Sequence, residues 1–570
     1  MSARRAGAML YRVVAAGAAM WLAGAILQGV LRYGVDVPFW DQWTLLGTFR
    51  RVATGELSWP RALFLSHGEH QIGVDLLFSV ASWKLTGMYM PAVMVLNWAI
   101  ACAFCLLAMG VTRRALPAGS AIPWTVLWAS AFFVFNPAAY QVWLWGLPLV
   151  YMLVPLLFLC GVAAAQSRLP DGWKIAVAGV CAWLACFTLA SGLLLWALLP
   201  VVLACSTDPG VVFRRERAAT GLCVLLLASN LYMLGTGVLA HPGAGAGQTK
   251  GLPAMARFFF AYTGNLVSVA TEATPVAWAE LAGAGLIAFF VLAVPLAAWR
   301  IKGRQEAGAL AIWTAMGVYS LGAGGMATLG RYHFGVAYAV ESSRYVLASA
   351  FLPVACVAVG SLLVAALARQ LPARLHLYSW ALCGTVALVA AGGAFRFLQT
   401  GRAWALMEHT HYWDLTGKVA VAAVNLVEMP EYRNIYSTDN REDFQLSANF
   451  LNVRGWIRPR LWDEGFVREL AAPERRAEPG FGRVEALRVE GGKLRLAGTA
   501  VLADRGERAH AVIVLGRDPA GAKILAVWFP AAAGAWSGEI PQPAPGTAVR
   551  CLAYDALSGR AYALDGWREL

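Results

Sequence analysis

Charge is scarce in this sequence. Only 14% of its 570 residues are Asp, Glu, Lys or Arg, against 59% hydrophobic, and mean hydropathy is +0.57. So little polar surface excludes an ordinary water-soluble fold and a disordered chain, and it points to a polytopic membrane protein. Acidic charge is the scarcer sign, with 33 Asp and Glu against 46 Lys and Arg. No recognisable nucleic-acid-binding motif accompanies the excess of +13, so it is read as arginine and lysine at cytoplasmic helix ends. A disulfide framework is also missing. Cys102, Cys105, Cys160, Cys181, Cys186, Cys205, Cys223, Cys356 and Cys383 sit in apolar stretches, where cysteine acts as a small hydrophobe, and Cys551 stands alone in the polar C-terminal part. There is no solenoid repeat and no long low-complexity tract; Gly243 to Gly247 is a short flexible loop. Arg4, Arg5 and Arg12 precede the apolar run Val13 to Val30, which is long for a signal peptide and lacks a small-residue cleavage site. It is therefore expected to be a retained first helix.

What the sequence does have is apolar runs of about 20 residues, the length that crosses ~30 Å of hydrocarbon. They predict about eleven spans: Val13 to Val30, Pro91 to Val111, Ala121 to Tyr140, Leu147 to Ala165, Ile175 to Ala190, Leu193 to Cys205, Ala218 to Leu239, Val276 to Trp299, Ala307 to Leu329, Val346 to Ala368 and Leu377 to Phe395. Basic clusters recur after every second run, at Arg113 and Arg114, Arg168 and Lys174, Arg214 to Arg217, Arg300 to Arg304, and Arg369 and Arg374. The positive-inside rule puts these clusters and the N-terminus in the cytoplasm and makes the short fifth and sixth runs a hairpin. The region after Phe395 is then external. Ile72 to Leu85 and Arg257 to Val269 are apolar but short, and are read as interfacial or re-entrant.

The expected domains are a transmembrane region 1–397 with an external loop 32–90, a mixed helical connector 398–478, and an external β-sandwich 479–570. The sandwich rests on alternating runs separated by turn formers. Arg483 to Glu490 and Lys493 to Ala500 flank Gly491 and Gly492 as a hairpin, and further strands are expected at Ala511 to Leu515, Lys523 to Phe529, Ala548 to Asp555 and Arg560 to Leu564. The fold class is thus mainly α, polytopic, with a C-terminal extracytoplasmic β-sandwich.

Candidate chemistry concentrates in the first external loop, Asp36 to Asp75. Asp41 in FWDQW is a carboxylate beside low-dielectric surroundings, which suits a general base for an acceptor hydroxyl; a solvated acid or a helix cap is the plainer reading. Asp36 and Glu69 are the other candidate catalytic acids. His67, Glu69 and His70 in HGEH can place two imidazoles on one face of a helix turn, as ligands for a divalent metal such as Mg or Mn, as phosphate donors, or as caps of the next helix. This spacing is not the zincin pattern. Arg331, Arg344 and Tyr345 lie in RYHFGVAYAVESSRY, where arginine can pair bidentately with a phosphate and ionisable residues at a membrane boundary are functional candidates. Trp40, Trp43, Tyr140, Trp143 and Trp145 are candidates for stacking on a sugar face, or for an interfacial aromatic belt.

WDQW followed by HGEHQI, the aromatic turn NPAAYQVWLWG and the stretch FGVAYAVESSRY together resemble the GT-C superfamily of membrane glycosyltransferases, more narrowly a bacterial group in which WDxW, HNEHR, WGFQ and SRY recur. The resemblance spans Asp36 to Ala350 and lies in the order of the motifs. It implies transfer of a sugar from a polyprenyl-phosphate carrier to an envelope glycan or lipid acceptor on the external face, with inversion. Asp41 takes the position of the loop base and Arg344 that of the phosphate ligand. The chain departs from the pattern at Gly68, Gln71 and Pro148; Gln71 stands where a cation is expected. A flippase for a lipid-linked glycan and a non-catalytic envelope assembly protein are the alternatives.

Overall fold

The computed structural model describes residues 3–67, 70–146, 151–204, 251–267, 276–370, 401–436, 440–472 and 477–570. The chain folds as two compact units: Met1–Arg32, Ser58–Val80 and Val93–Met407 make one, and Tyr33–Leu57, Ala81–Ala92 and Glu408–Leu570 make the other. This differs from a division at residue 397. Two N-terminal segments that the sequence assigns to the transmembrane region join the C-terminal unit, because their aromatic residues find their core there.

The first unit is helical. Among the described residues, five helices are long and apolar enough to cross a membrane: Ala6–Tyr33, Met90–Arg114, Val276–Arg300, Gln305–Phe334 and Arg344–Arg369. They mark the chain as a membrane protein. A sixth span is reached if Ile122–Val134 and Pro137–Leu144, bent by 47°, count as one. The bend has a local cause: the Asn136 side chain accepts from Ala138 N, and Pro137 removes a helical donor. Among the described residues not every predicted run forms a full-length span. The fourth, fifth and sixth runs fold as the shorter helices Leu153–Ala165, Asp171–Cys186 and Leu194–Ala204, and the runs at 218–239 and 377–395 lie outside the described residues. Between the fifth and sixth, a 3-10 turn at Ala190–Leu193 reverses the chain. There Gly192 lies so close to the Ala185 carbonyl that no Cβ would fit. The two short interfacial segments are helical over Gly73–Thr86 and Leu252–Thr263.

In the second unit the helix Asp41–Ala53 is amphipathic, and its buried stripe is the reason it sits here. Trp43 meets Phe444 and Tyr436, and Phe49 meets Trp83, Phe450 and Trp456; with buried Leu46 between them they make an i, i+3 series. Residues 408–423 are also helical. Arg441–Val453 and Glu464–Leu470 follow, capped by the Asn440 and Asp463 side chains accepting from Asp443 N and Phe466 N.

Two short strands in the first unit, β1 (Ser66–His67) and β2 (His70–Gln71), pair antiparallel. The remaining strands form the C-terminal sheets: β3 (Gly482–Glu490), β4 (Lys493–Leu502), β5 (Glu507–Arg508), β6 (Ala511–Asp518), β7 (Gly521–Trp528), β8 (Ala535–Pro541), β9 (Ala548–Asp555), β10 (Arg560–Ala563) and β11 (Arg568–Glu569). One sheet runs β10-β9-β6-β7 with β11 on β9, the other β3-β4-β5 with β8 on β4. A single core gathers Leu494, Leu496, Val512, Val514, Trp536 and Cys551 from both. At the β3–β4 hairpin Glu490 pairs with Lys493, and Gly491 and Gly492 take φ of 59° and 73°, the two positive values a type I′ turn demands. The sequence reading misses β8. Its Gly538 breaks the alternation, yet leaves the room that the Trp528 ring occupies.

Candidate functional site

In the first unit the SRY stretch and the aromatic turn come together. Ser343 caps the helix Arg344–Ala348, and its buried hydroxyl accepts from Gln141 N at 3.0 Å. Gln141 lies in the helix Tyr140–Leu144. Asn265, fully buried, donates to the Ala339 carbonyl at 2.8 Å and reaches that of Ser342 at 3.5 Å. These bonds fix the short helices on either side of Arg344, so its backbone is held from two directions. The Arg344 guanidinium donates to the Tyr338 hydroxyl at 2.5 Å and lies 5.9 Å and 5.6 Å from the ring centroids of Tyr338 and Tyr345, within cation–π range. Tyr345 packs on Tyr262 at 4.9 Å. This arrangement presents a half-buried guanidinium held on aromatic faces, a form in which arginine can receive an anion.

In the second unit Asp36 lines a small cavity of about 20 Å³ with Val37, Met88, Lys418, Trp456 and Arg458, room for one water molecule. Its carboxylate accepts from Met90 N at 2.9 Å, while Lys418 Nζ donates to the Asp36 carbonyl at 2.9 Å. Burial pushes the Asp36 carboxyl up, against the pull of Lys418, the Met90 N–H and Arg458. Burial lowers Lys418 to about 8 although the charges of Asp36 and Asp555 support its proton. Burial thus raises an acid and lowers an amine at one cavity, the pattern that marks a candidate functional site. The backbone is strained at Met88, in the cavity wall, and at Trp40, four residues after Asp36. Trp40 and Met88, the non-glycine residues with positive φ among the described residues, take 46° and 61°. Each such conformation costs on the order of 1–3 kcal/mol and persists where surrounding contacts impose it; for Trp40 one such contact is its N–H donating to Ile435 O at 2.7 Å.

Asp41 opens the helix Asp41–Ala53 and is half-buried, where the helix dipole favours a carboxylate. The candidate aromatic residues separate by burial. Trp43 and Trp143 are fully buried and donate their indole N–H to Pro38 O and Asn136 O; Phe135 stacks on Trp143. Trp145 is also buried and its carbonyl accepts from Asn97. These three serve the core, whereas Trp40 and Tyr140 are half-exposed. Phe39 already stacks on Trp40 at 5.2 Å. The backbones of His67 and His70 are paired across β1 and β2, so a ladder pair stands where a helix turn was expected for HGEH. Glu69 and the side chains of His67 and His70 lie outside the described residues, as does a metal site built on them. Among the described residues no group of three or more His, Cys, Asp or Glu can hold a metal.

Sequence reasoning passed over Tyr338, Ser343, Asn265, Lys418 and Arg458. Lys418 carries a usable signal, a lone cation in the apolar run GKVAVAAV; Ser343 and Asn265 become visible only through contacts distant in sequence. No protein-family model, curated protein or solved structure matches the chain.

Proposed function

We propose that this protein is a membrane glycosyltransferase that moves a sugar from a polyprenyl-phosphate donor to an envelope glycan or lipid acceptor on the external face, with inversion at the anomeric carbon. The observation that carries the reading is the Arg344 guanidinium, held against Tyr338 and Tyr345 beside a span-length apolar helix. A lipid phosphate is a fair leaving group, and a cation fixed at the membrane boundary lowers the energy of the charge that builds on it as the glycosidic bond breaks. Arg344 takes that role with Arg331 as its neighbour.

The base is assigned to Asp41, with Asp36 as the second candidate because its cavity already couples a raised carboxyl to Lys418. A base of this kind contributes roughly a hundred- to ten-thousand-fold. The C-terminal sheets, read as a β-sandwich, would engage the acceptor glycan. The test is transfer from a polyprenyl-phosphate sugar by the full chain reconstituted in liposomes. Arg344→Lys keeps the charge but loses the planar fork, and donor affinity should fall about tenfold or more, the worth of one charge-assisted hydrogen bond. Asp41→Asn should abolish turnover while donor binding persists. Retained turnover in that variant removes Asp41 from the role, and donor affinity unchanged in Arg344→Lys refutes the phosphate assignment.

A further inference from the structure

A second recess lies in the first unit, far from Arg344. It has a volume of about 530 Å³ and is lined by Pro117, Arg300, Lys302, Gly303, Gln305, Glu306, Ala366 and Arg369. Its basic residues come from different elements. Arg300 ends the helix Val276–Arg300, Lys302 lies in the link to the next helix, and Arg369 is in the last turn of Phe351–Gln370. The 28-residue helix Arg304–Arg331 begins at this recess and ends at Arg331, so roughly 40 Å of helix separates the recess from the phosphate site assigned above.

Simple snorkelling explains a basic residue at the end of a span, and the negative end of a helix dipole favours it there. Neither accounts for three cations bordering one cavity. Arg369 forms a bidentate pair with Glu306 at 2.6 Å and 2.7 Å, which fixes its guanidinium in the wall. The Arg300 guanidinium rests over the Trp299 ring at 4.0 Å, and Trp299 is 62% exposed, as an aromatic residue facing headgroups would be. One carboxylate against three cations leaves two positive charges in excess, while Pro117 and Ala366 supply apolar wall. The volume is that of a small-molecule site, and its charge and depth suit a phosphate group with an organic substituent.

We propose that this recess binds the phosphate headgroup of an anionic phospholipid, on the face that the positive-inside rule assigns to the cytoplasm. The shared chemistry is phosphate; the lipid is the chosen source because the recess opens among the ends of span-length helices, where headgroups lie. The assignment is independent of glycosyl transfer. It is tested on the full chain in nanodiscs of phosphatidylcholine mixed with either phosphatidic acid or cardiolipin, with retained lipid read by native mass spectrometry. The wild-type protein should retain the anionic lipid selectively. Lys302→Gln with Arg369→Gln should weaken retention about twentyfold or more, at roughly fivefold per charge near the surface. Both side chains are largely solvent-exposed, and an unchanged melting temperature in pure phosphatidylcholine checks that the fold is intact. Equal retention of zwitterionic and anionic lipid, or undiminished retention by the double variant, overturns the proposal. Selective stabilisation by inorganic phosphate in place of lipid overturns the lipid as occupant.

Discussion

His510 shows how single residues are held in this chain. It is buried, and its ring meets Asp555 at 3.1 Å on one side and Glu507 at 3.4 Å on the other. Asp555 also accepts from Arg505 at 3.1 Å and Ser558 at 2.6 Å. Burial alone would lower the imidazole, but the two flanking carboxylates outweigh it and hold it above the ordinary range. Folded His510 therefore binds a proton that the unfolded chain, near pH 6.5, releases. Its stabilisation is complete below about pH 6.5 and is lost as pH rises through the folded value. Fluorescence-monitored melting of the full chain should show that decline, and His510→Gln should flatten it while costing about 2 kcal/mol. Asp75 is a contrasting case. It is 2% exposed, and neither carboxyl oxygen meets a donor among the described residues. A buried acid without a partner contributes no hydrogen bond to lose, so Asp75→Asn should melt within about 0.5 kcal/mol of wild type or above it. At this scale Asp36 was legible as an acid in an unusual setting, whereas its coupling to Lys418 was not, since 382 positions separate them.

Turns decide the elements. Gly491 and Gly492 were readable because two adjacent glycines between alternating runs encode positive φ locally, and the pairing of Glu490 with Lys493 agrees. Replacing Gly492 with Val should cost about 1–2 kcal/mol, since a β-branched residue resists the φ of 73° found there, and urea titration measures it. Gly192 imposes another kind of constraint, because a Cβ would overlap the Ala185 backbone. Gly192→Ala should open the turn between Asp171–Cys186 and Leu194–Ala204 and lower the melting temperature of the membrane unit. Among the described residues the fourth, fifth and sixth apolar runs form helices shorter than a full span. Apolar runs of similar strength end early where Pro137, Gly192 or a 3-10 turn intervenes, and helix length is then set by packing against neighbours.

Over the whole molecule, one apolar helical unit and one mixed unit each close around their own residues. The C-terminal core draws its buried members from 484–564, so a fragment beginning near residue 460 should fold alone. Cys551 is the reporter: it is 1% exposed, and burial pushes its thiol well up. It should resist maleimide in the native fragment and react on unfolding, and ready labelling under native conditions would show that the core needs the rest of the chain. The membrane character was legible at this scale from composition, because apolar area summed over a chain needs no knowledge of contacts.

The sequence by itself determined what depends on local composition and period: a membrane chain, the positions of its strongest apolar helices, the Gly-Gly hairpin and most of the C-terminal strands. Tertiary structure alone decided which distant residues meet. It drew the helix Asp41–Ala53 into the unit containing Phe444 and Phe450, seated Arg344 on Tyr338 beside the aromatic turn, buried Trp43 and Trp143, and joined Asp36 to Lys418. The physical reason is that period and propensity act over a few residues, whereas burial and charge pairing act through space between segments that only the completed fold brings together.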